Sequence, residues 1–242
     1  MKNVALIFAG GTGSRLSSAS VPKQFLVISS KPVIIHTLEY FQINDHIDSI
    51  CVVCLKDKIE YLNELLLRYG ISKVNLVVPG GASGQESIFN GLSALYQDDP
   101  SPEQTTVLIH DGVRPLINQD TIDRCIQCVE NYGNAITVSG AIETIMTTDD
   151  AQNIAQVIDR KTVKLVRAPQ CFILKDIYEA HLAAHRDKYT DAIDSATLMR
   201  HYGYTLHTVE GPSENIKITT ASDYYMARAI MEARENSQVG AL

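Results

Sequence analysis

Short apolar runs alternate with amphipathic stretches from one end of the chain to the other. The apolar runs predict strands over residues 4–9, 50–55, 74–78, 105–109, 135–139 and 205–210. The stretches between them predict helices over 32–43, 57–69, 85–96, 119–131, 175–184, 191–202 and 221–235. Alternation of this kind is the pattern of an α/β chain, with a mostly parallel sheet and helices on both of its faces. In such sheets ligands bind at the carboxyl ends of strands, where the strand order switches. Three polar or glycine-rich segments fall at those ends: Gly10-Gly11-Thr12-Gly13, Pro79-Gly80-Gly81 and His110-Asp111-Gly112. No internal repeat interrupts the pattern, so residues 1–242 read as a single domain. The least regular part, 141–168, carries only short β-like pieces such as Gln156-Val157-Ile158 and reads as a projecting arm.

Composition narrows the class. The chain has 242 residues, 45% hydrophobic and 20% charged, which places it among folded globular proteins and gives ample length for a large core. Its net charge of −7 argues against general binding to nucleic acid or to an acidic membrane surface. An anionic substrate would have to be captured by a local cationic pocket. No run approaches the roughly 18–20 apolar residues of a membrane span, and Met1-Lys2-Asn3 leads straight into a strand, so a cytoplasmic location is expected. Cys51-x-x-Cys54 and Cys125-x-x-Cys128 resemble half-sites for zinc. The first pair lies on a strand, where residues three apart face opposite sides, so core thiols are the better reading.

The opening turn carries the first candidate chemistry. Val4–Ala9 reads as a buried strand, and the glycines that follow allow a tight turn that brings backbone N–H groups to an anion. Arg15, as a fork, and Lys23, as a point charge in Pro22-Lys23-Gln24, can neutralise phosphates. The alternative is an ordinary βα turn with solvated charges. Neither a Walker loop nor the dinucleotide fingerprint is present, because Gly13-Ser14-Arg15 is followed by Leu16; the latter argues against a nicotinamide-dependent oxidoreductase.

Two later motifs add to it. In His110-Asp111-Gly112-Val113-Arg114-Pro115, the aspartate can hold Mg²⁺ or accept hydrogen bonds from a polyol, and Arg114 can bind a phosphate bidentately. The alternative is a turn aspartate paired with its arginine, and His110 reads as structural. In Glu214-Asn215-Ile216-Lys217-Ile218, Lys217 points opposite to its apolar neighbours, toward a site or toward solvent.

Taken together, Leu6-x-x-Ala9-Gly10-Gly11-x-Gly13-x-Arg15 with Pro22-Lys23-Gln24, Gly80-Gly81 with Ser87, the Asp111 motif and Asn215-Ile216-Lys217-Ile218-Thr219-Thr220 resemble the IspD/TarI cytidylyltransferases over the whole chain. The resemblance implies a Rossmann-like nucleotidyltransferase fold and transfer of CMP from CTP to an alditol phosphate, with Mg²⁺ and release of pyrophosphate. It implies that Ala9, Gly10, Gly11, Gly13 and Arg15 wrap the triphosphate and that Lys23 contacts the attacked phosphate. Gly80, Gly81 and Ser87 would read cytosine and ribose. Asp111, Arg114, Thr144 and Lys217 would line the acceptor side, with Asp111 also the metal ligand. Arg160, on the arm, would reach the acceptor phosphate in a neighbouring subunit, which makes 141–168 a dimerisation arm and the protein a homodimer. Arg15, Lys23 and Lys217 are the expected catalytic cations.

Two departures stand out. The family usually has Thr-Pro-Gln where this chain has Ala168-Pro169-Gln170, so a hydroxyl near the acceptor phosphate is missing. The segment after Gly81 usually carries Asp and Arg but here reads Ala82-Ser83-Gly84-Gln85. D-ribitol 5-phosphate is the expected acceptor and 2-C-methyl-D-erythritol 4-phosphate the alternative; a non-catalytic nucleotide-binding domain is the competing class, since fold does not fix function.

Overall fold

In a computed structural model of the chain, residues 1–11 and 21–239 are described. The elements run β1 (Lys2–Ala9), β2 (Val27–Ile28), β3 (Lys31–Pro32), α1 (Val33–Gln42), β4 (Ser49–Cys54), α2 (Ile59–Arg68), β5 (Val74–Pro79), α3 (Gly84–Asp98), β6 (Thr105–Asp111) and α4 (Gln119–Tyr132). They continue as β7 (Asn134–Gly140), β8 (Ile145–Thr148), β9 (Ile154–Ile158), β10 (Lys164–Ile173), α5 (Leu174–Asp187), α6 (Ser195–His201), β11 (Thr208–Glu210) and α7 (Ala221–Val239).

Seven strands form one sheet in the order β11-β7-β10-β6-β1-β4-β5. The pairs β1–β4, β1–β6, β4–β5 and β7–β11 are parallel, and β10 alone runs against both of its neighbours. Alternation along the buried strands divides the core in two. Ala5, Ile7, Val52, Cys54 and Leu108 pack under α1, α2 and α4, while Val4, Leu6, Cys51, Val53 and Ile109 pack under α3, α5 and α6. Cys51 and Cys54 thus face opposite sides of the sheet. A third, smaller core joins Ile28, Val33 and Val113 to Ile218 and to Ala227 of α7.

Each strand and helix expected from the pattern is present, with ends shifted by up to four residues; two elements start late. The helix expected from 191 begins at Ser195, because the Asp194 side chain accepts from the Thr197 backbone N–H and caps it there. The strand expected from 205 pairs with β7 only from Thr208. The main addition is β10. Its first residues, 164–168, fall inside the stretch expected as an arm, and they pair with β7 until the register shifts between Val166 and Gln170. Pro169 cannot donate to a ladder, and the bulge removes the need for it to do so. The rest of the arm is a β8–β9 hairpin in a sheet of its own.

Candidate active site

β1 and β6 lie side by side with Phe8 opposite Asp111, and the chain leaves β1 toward β4 on the other side. The crevice at their carboxyl ends is therefore a point where the strand order switches. Two cavities meet there.

The smaller, about 120 Å³, is lined among others by Ala9, Gly10, Gly11, Lys23, Ser87, Asp111 and Lys217. Its wall depends on two loops touching. A Cβ on Gly10 would stand 3.0 Å from the Gly80 Cα, and one on Gly80 would stand 2.9 Å from the Gly10 Cα, so neither position has room for a side chain. The buried Ser87 hydroxyl ties the second loop to α3 by donating to the Ser83 carbonyl at 2.8 Å and accepting from the Gly81 N–H at 3.1 Å. Gln24 ties in the third segment. Its amide donates to the Ala9 carbonyl at 2.7 Å and the Gly11 carbonyl at 3.4 Å, which sets Lys23 beside the glycine turn. Gly13 and Arg15, expected to wrap the triphosphate, lie outside the described residues.

The larger cavity encloses about 430 Å³ and is lined on its charged side by Asp111, Arg114, Arg167, Asp194 and Lys217. Both cavities share Phe8, Gly84, Asp111 and Lys217 as a common wall. Asp111 is the centre of that wall. Arg114 Nε donates to its Oδ2 at 2.7 Å, and Lys217 Nζ stands 2.6 Å from its Oδ1. Burial alone would raise the Asp111 pKa, but the two adjacent cations more than offset it and hold the group down to about 2. Lys217 also sits 5.6 Å above the Phe8 ring. Its segment is fixed by the fully buried Asn215, whose amide donates to the Ala168 carbonyl at 2.8 Å and whose own carbonyl accepts from Arg114 Nη1 at 2.9 Å. His110 is structural, as the sequence implied: burial lowers its pKa to about 4, so it is neutral at pH 7 and its Nε2 sits 3.2 Å from the Arg114 carbonyl.

Ser83 and Gly84, which depart from the family pattern, form the start of α3: the Ser83 hydroxyl accepts from the Glu86 N–H, and Gly84 faces both cavities. Thr144 and Arg160 line neither cavity of their own chain. Both are exposed, and Arg160 donates to the Ile142 carbonyl at 3.1 Å within the arm. Asp111 was also expected as a metal ligand, and its geometry speaks against that: both oxygens already face cations, and a divalent ion there would meet Arg114 and Lys217 as like charges. Among the described residues no group of three or more His, Cys, Asp or Glu could hold a metal. The donor set does not fit a metal held by the protein at this point.

Four residues at the site carried no expectation: Gln24, Arg167, Asp194 and Asn215. Gln24 and Asn215 lie inside the Pro22-Lys23-Gln24 and Asn215-Ile216-Lys217 motifs and act through buried amides, which no periodicity distinguishes from surface ones. Arg167 had a signal available, a cation next to the Ala168-Pro169-Gln170 departure.

The chain matches the family described as IspD, 2-C-methyl-D-erythritol 4-phosphate cytidylyltransferase, over residues 3–233. It is 49% identical to a ribitol-5-phosphate cytidylyltransferase of Vibrio parahaemolyticus, over 98% of this chain and 99% of that one. It is 36% identical to a 2-C-methyl-D-erythritol 4-phosphate cytidylyltransferase of Clostridium botulinum, over 96% and 98%. Its fold resembles the solved 4-diphosphocytidyl-2C-methyl-D-erythritol synthase of Anaerococcus prevotii with a TM-score of 0.82 at 27% identity, covering 96% of each chain. Matched over nearly its whole length in sequence and in fold, the chain belongs to the IspD family of cytidylyltransferases.

Proposed function

We propose that the chain transfers CMP from CTP to D-ribitol 5-phosphate, giving CDP-ribitol and pyrophosphate. The observation that carries this is the shared wall: a glycine-lined chamber and a second, roomier chamber meet at one carboxylate flanked by two cations. Such a wall suits two anions that must be brought together. The nearer identity to the ribitol-5-phosphate relative, 49% against 36% for the methylerythritol relative, supports ribitol 5-phosphate as the acceptor.

An acceptor phosphate oxygen attacks the α-phosphorus of CTP in line, the bond from that phosphorus to the bridging oxygen breaks, and pyrophosphate leaves with the electron pair. The protein supplies position and charge rather than a nucleophile. In this reading Ala9, Gly10, Gly11 and Gly13 hold the triphosphate with Arg15. Lys23 faces the attacked phosphate, and Gly80, Gly81 and Ser87 hold the nucleoside. Asp111, Arg114 and Lys217 line the acceptor chamber, Asp111 accepting from polyol hydroxyls. Any Mg²⁺ the reaction uses would be held by the phosphates of CTP rather than by Asp111, and would supply further neutralisation of their charge. The free cysteines, four of them buried, suit a reducing compartment such as the cytoplasm. Among the described residues no helix is long and apolar enough to cross a membrane.

Comparative kinetics test the acceptor: kcat/KM with D-ribitol 5-phosphate is expected to exceed that with 2-C-methyl-D-erythritol 4-phosphate, and the reverse order would replace the acceptor. Lys217→Ala is expected to damage acceptor use more than CTP binding. Loss of one charge-assisted contact is worth about 1.5–3 kcal/mol, or roughly ten- to a hundredfold in kcat/KM for the acceptor. Calorimetry with CTP alone checks the assignment, since an equal loss of CTP affinity would place Lys217 on the nucleotide side.

The arm is proposed to dock on a second copy. Ile142, Met146, Ile154 and Val157 are all exposed on it, more apolar surface than one small hairpin of a monomer would leave in water. Docking would bring Thr144 and Arg160 to the partner's acceptor chamber. Sedimentation should give a dimer at micromolar concentration, whereas a fully active monomer would defeat the idea.

A further inference from the structure

Arg167 stands out among the groups lining the larger cavity. It is a half-buried cation at the bulge of β10, and its Nε donates to the Ser139 hydroxyl at 3.0 Å. No carboxylate among the described residues lies within 4 Å of it, whereas Arg114 and Lys217 are both paired to Asp111. The other carboxylate of the cavity, Asp194, is turned away onto protein. Its Oδ1 accepts from the Thr197 N–H and hydroxyl at 2.7 Å each, and its Oδ2 accepts from the Gln170 amide at 3.1 Å.

The neighbouring backbone is committed as well. Asn215 takes the Ala168 carbonyl and Thr137 takes that of Pro169, while the Ala168 side chain is a methyl group with nothing to offer a polar ligand. Among the described residues lining this corner of the cavity, the Arg167 guanidinium is the cation with no carboxylate to answer it. Its pKa is pushed below the usual arginine range, first by burial and then by the Arg114 charge, as expected of a cation whose surroundings lack a counter-anion. A guanidinium fork matches a phosphate monoester in both shape and charge, and such an ester carries about −1.5 to −2 at pH 7.

We propose that Arg167 binds the phosphate of the alditol phosphate acceptor, beside the Arg114 and Lys217 side chains that line the same chamber. This rests on the cytidylyltransferase reading above and adds a residue to it. The alternative anion is the triphosphate of CTP, which would draw on the same chemistry.

Steady-state kinetics of wild type, Arg167→Met and Arg167→Lys, varying each substrate in turn, separate the two anions. Arg167→Met is expected to raise KM for D-ribitol 5-phosphate roughly ten- to a hundredfold while KM for CTP stays within about twofold. Arg167→Lys keeps the charge without the fork and should fall between the two. The unchanged KM for CTP also certifies folding, and if Arg167→Met is not folded, Arg167→Gln, which keeps a donor for Ser139, takes its place. An unchanged acceptor KM in the neutral variant overturns the proposal, as does a KM for CTP that rises as much as that for the acceptor. Failure of the underlying reading looks different, because then wild type itself forms no CDP-alditol from either ribitol 5-phosphate or methylerythritol phosphate. If wild type prefers methylerythritol phosphate, the same comparison with that acceptor decides the role of Arg167.

Discussion

Lys23→Ala is expected to lower kcat roughly a hundredfold or more, the scale of losing one preorganised charge stabiliser. A cation beside the attacked phosphorus gains strength as negative charge builds in the transition state, so it acts mainly on kcat. CTP affinity should fall much less, because the glycine-loop backbone remains. The substitution leaves its own turn in place: Gln24 and Phe25 on either side of the bond network are buried, Gln24 on the Ala9 carbonyl and Phe25 against Tyr61 with ring centroids 5.2 Å apart. Lys23→Arg should rescue only in part, because a planar fork cannot occupy the position of a compact ammonium. A near-normal kcat in a variant that is folded by circular dichroism would remove Lys23 from the mechanism.

Asp111→Asn is expected to cost stability as well as activity. It leaves the Arg114 and Lys217 charges facing a neutral amide. Breaking a buried pair costs about 3–5 kcal/mol. The Lys217 side chain is 42% exposed and its share is screened by water, while Arg114 is 12% exposed and its share is not. The lower end, about 3 kcal/mol, is therefore expected, which for a chain of this size is a fall in Tm of roughly 6–12 °C. The same pairing gives a pH signature. Asp111 titrates at about 2 in the folded chain, below its unfolded value near 3.8, so its contribution is fully present above the unfolded pKa and is lost as pH falls from about 4 through about 2. Thermal unfolding of wild type and Asp111→Asn between pH 3 and 7 checks this: the gap between the two should narrow toward the acid end. A gap independent of pH would mean that the carboxylate charge is not what the site depends on.

Much of this site could be read from the sequence because its parts end buried parallel strands. Val4–Ala9 is a continuous apolar run and Val107-Leu108-Ile109 the apolar centre of a fully buried β6, and Gly10 and His110-Asp111 end them at the positions where the crevice opens. The contacts between the parts could not be read. Lys217 meets Asp111 across a loop that Asn215 pins to β10 and that Ile218 pins to the Val113 carbonyl, and neither spacing nor periodicity carries that information. β10 itself escaped because Lys164, Arg167 and Pro169 interrupt its apolar pattern, and only the bulge makes the interruption tolerable. Arg167 was hidden with it. The apolar edge of the hairpin was visible as irregular sequence, but its amphipathic pieces are too short to announce a strand pair.

Labelled CTP tests the assignment most directly. With [α-³²P]CTP and D-ribitol 5-phosphate, CMP transfer predicts that the label appears in CDP-ribitol, matched mole for mole by unlabelled pyrophosphate and dependent on the acceptor. Label that stays in CTP, or that is released as CMP whether or not an alditol phosphate is present, would contradict it.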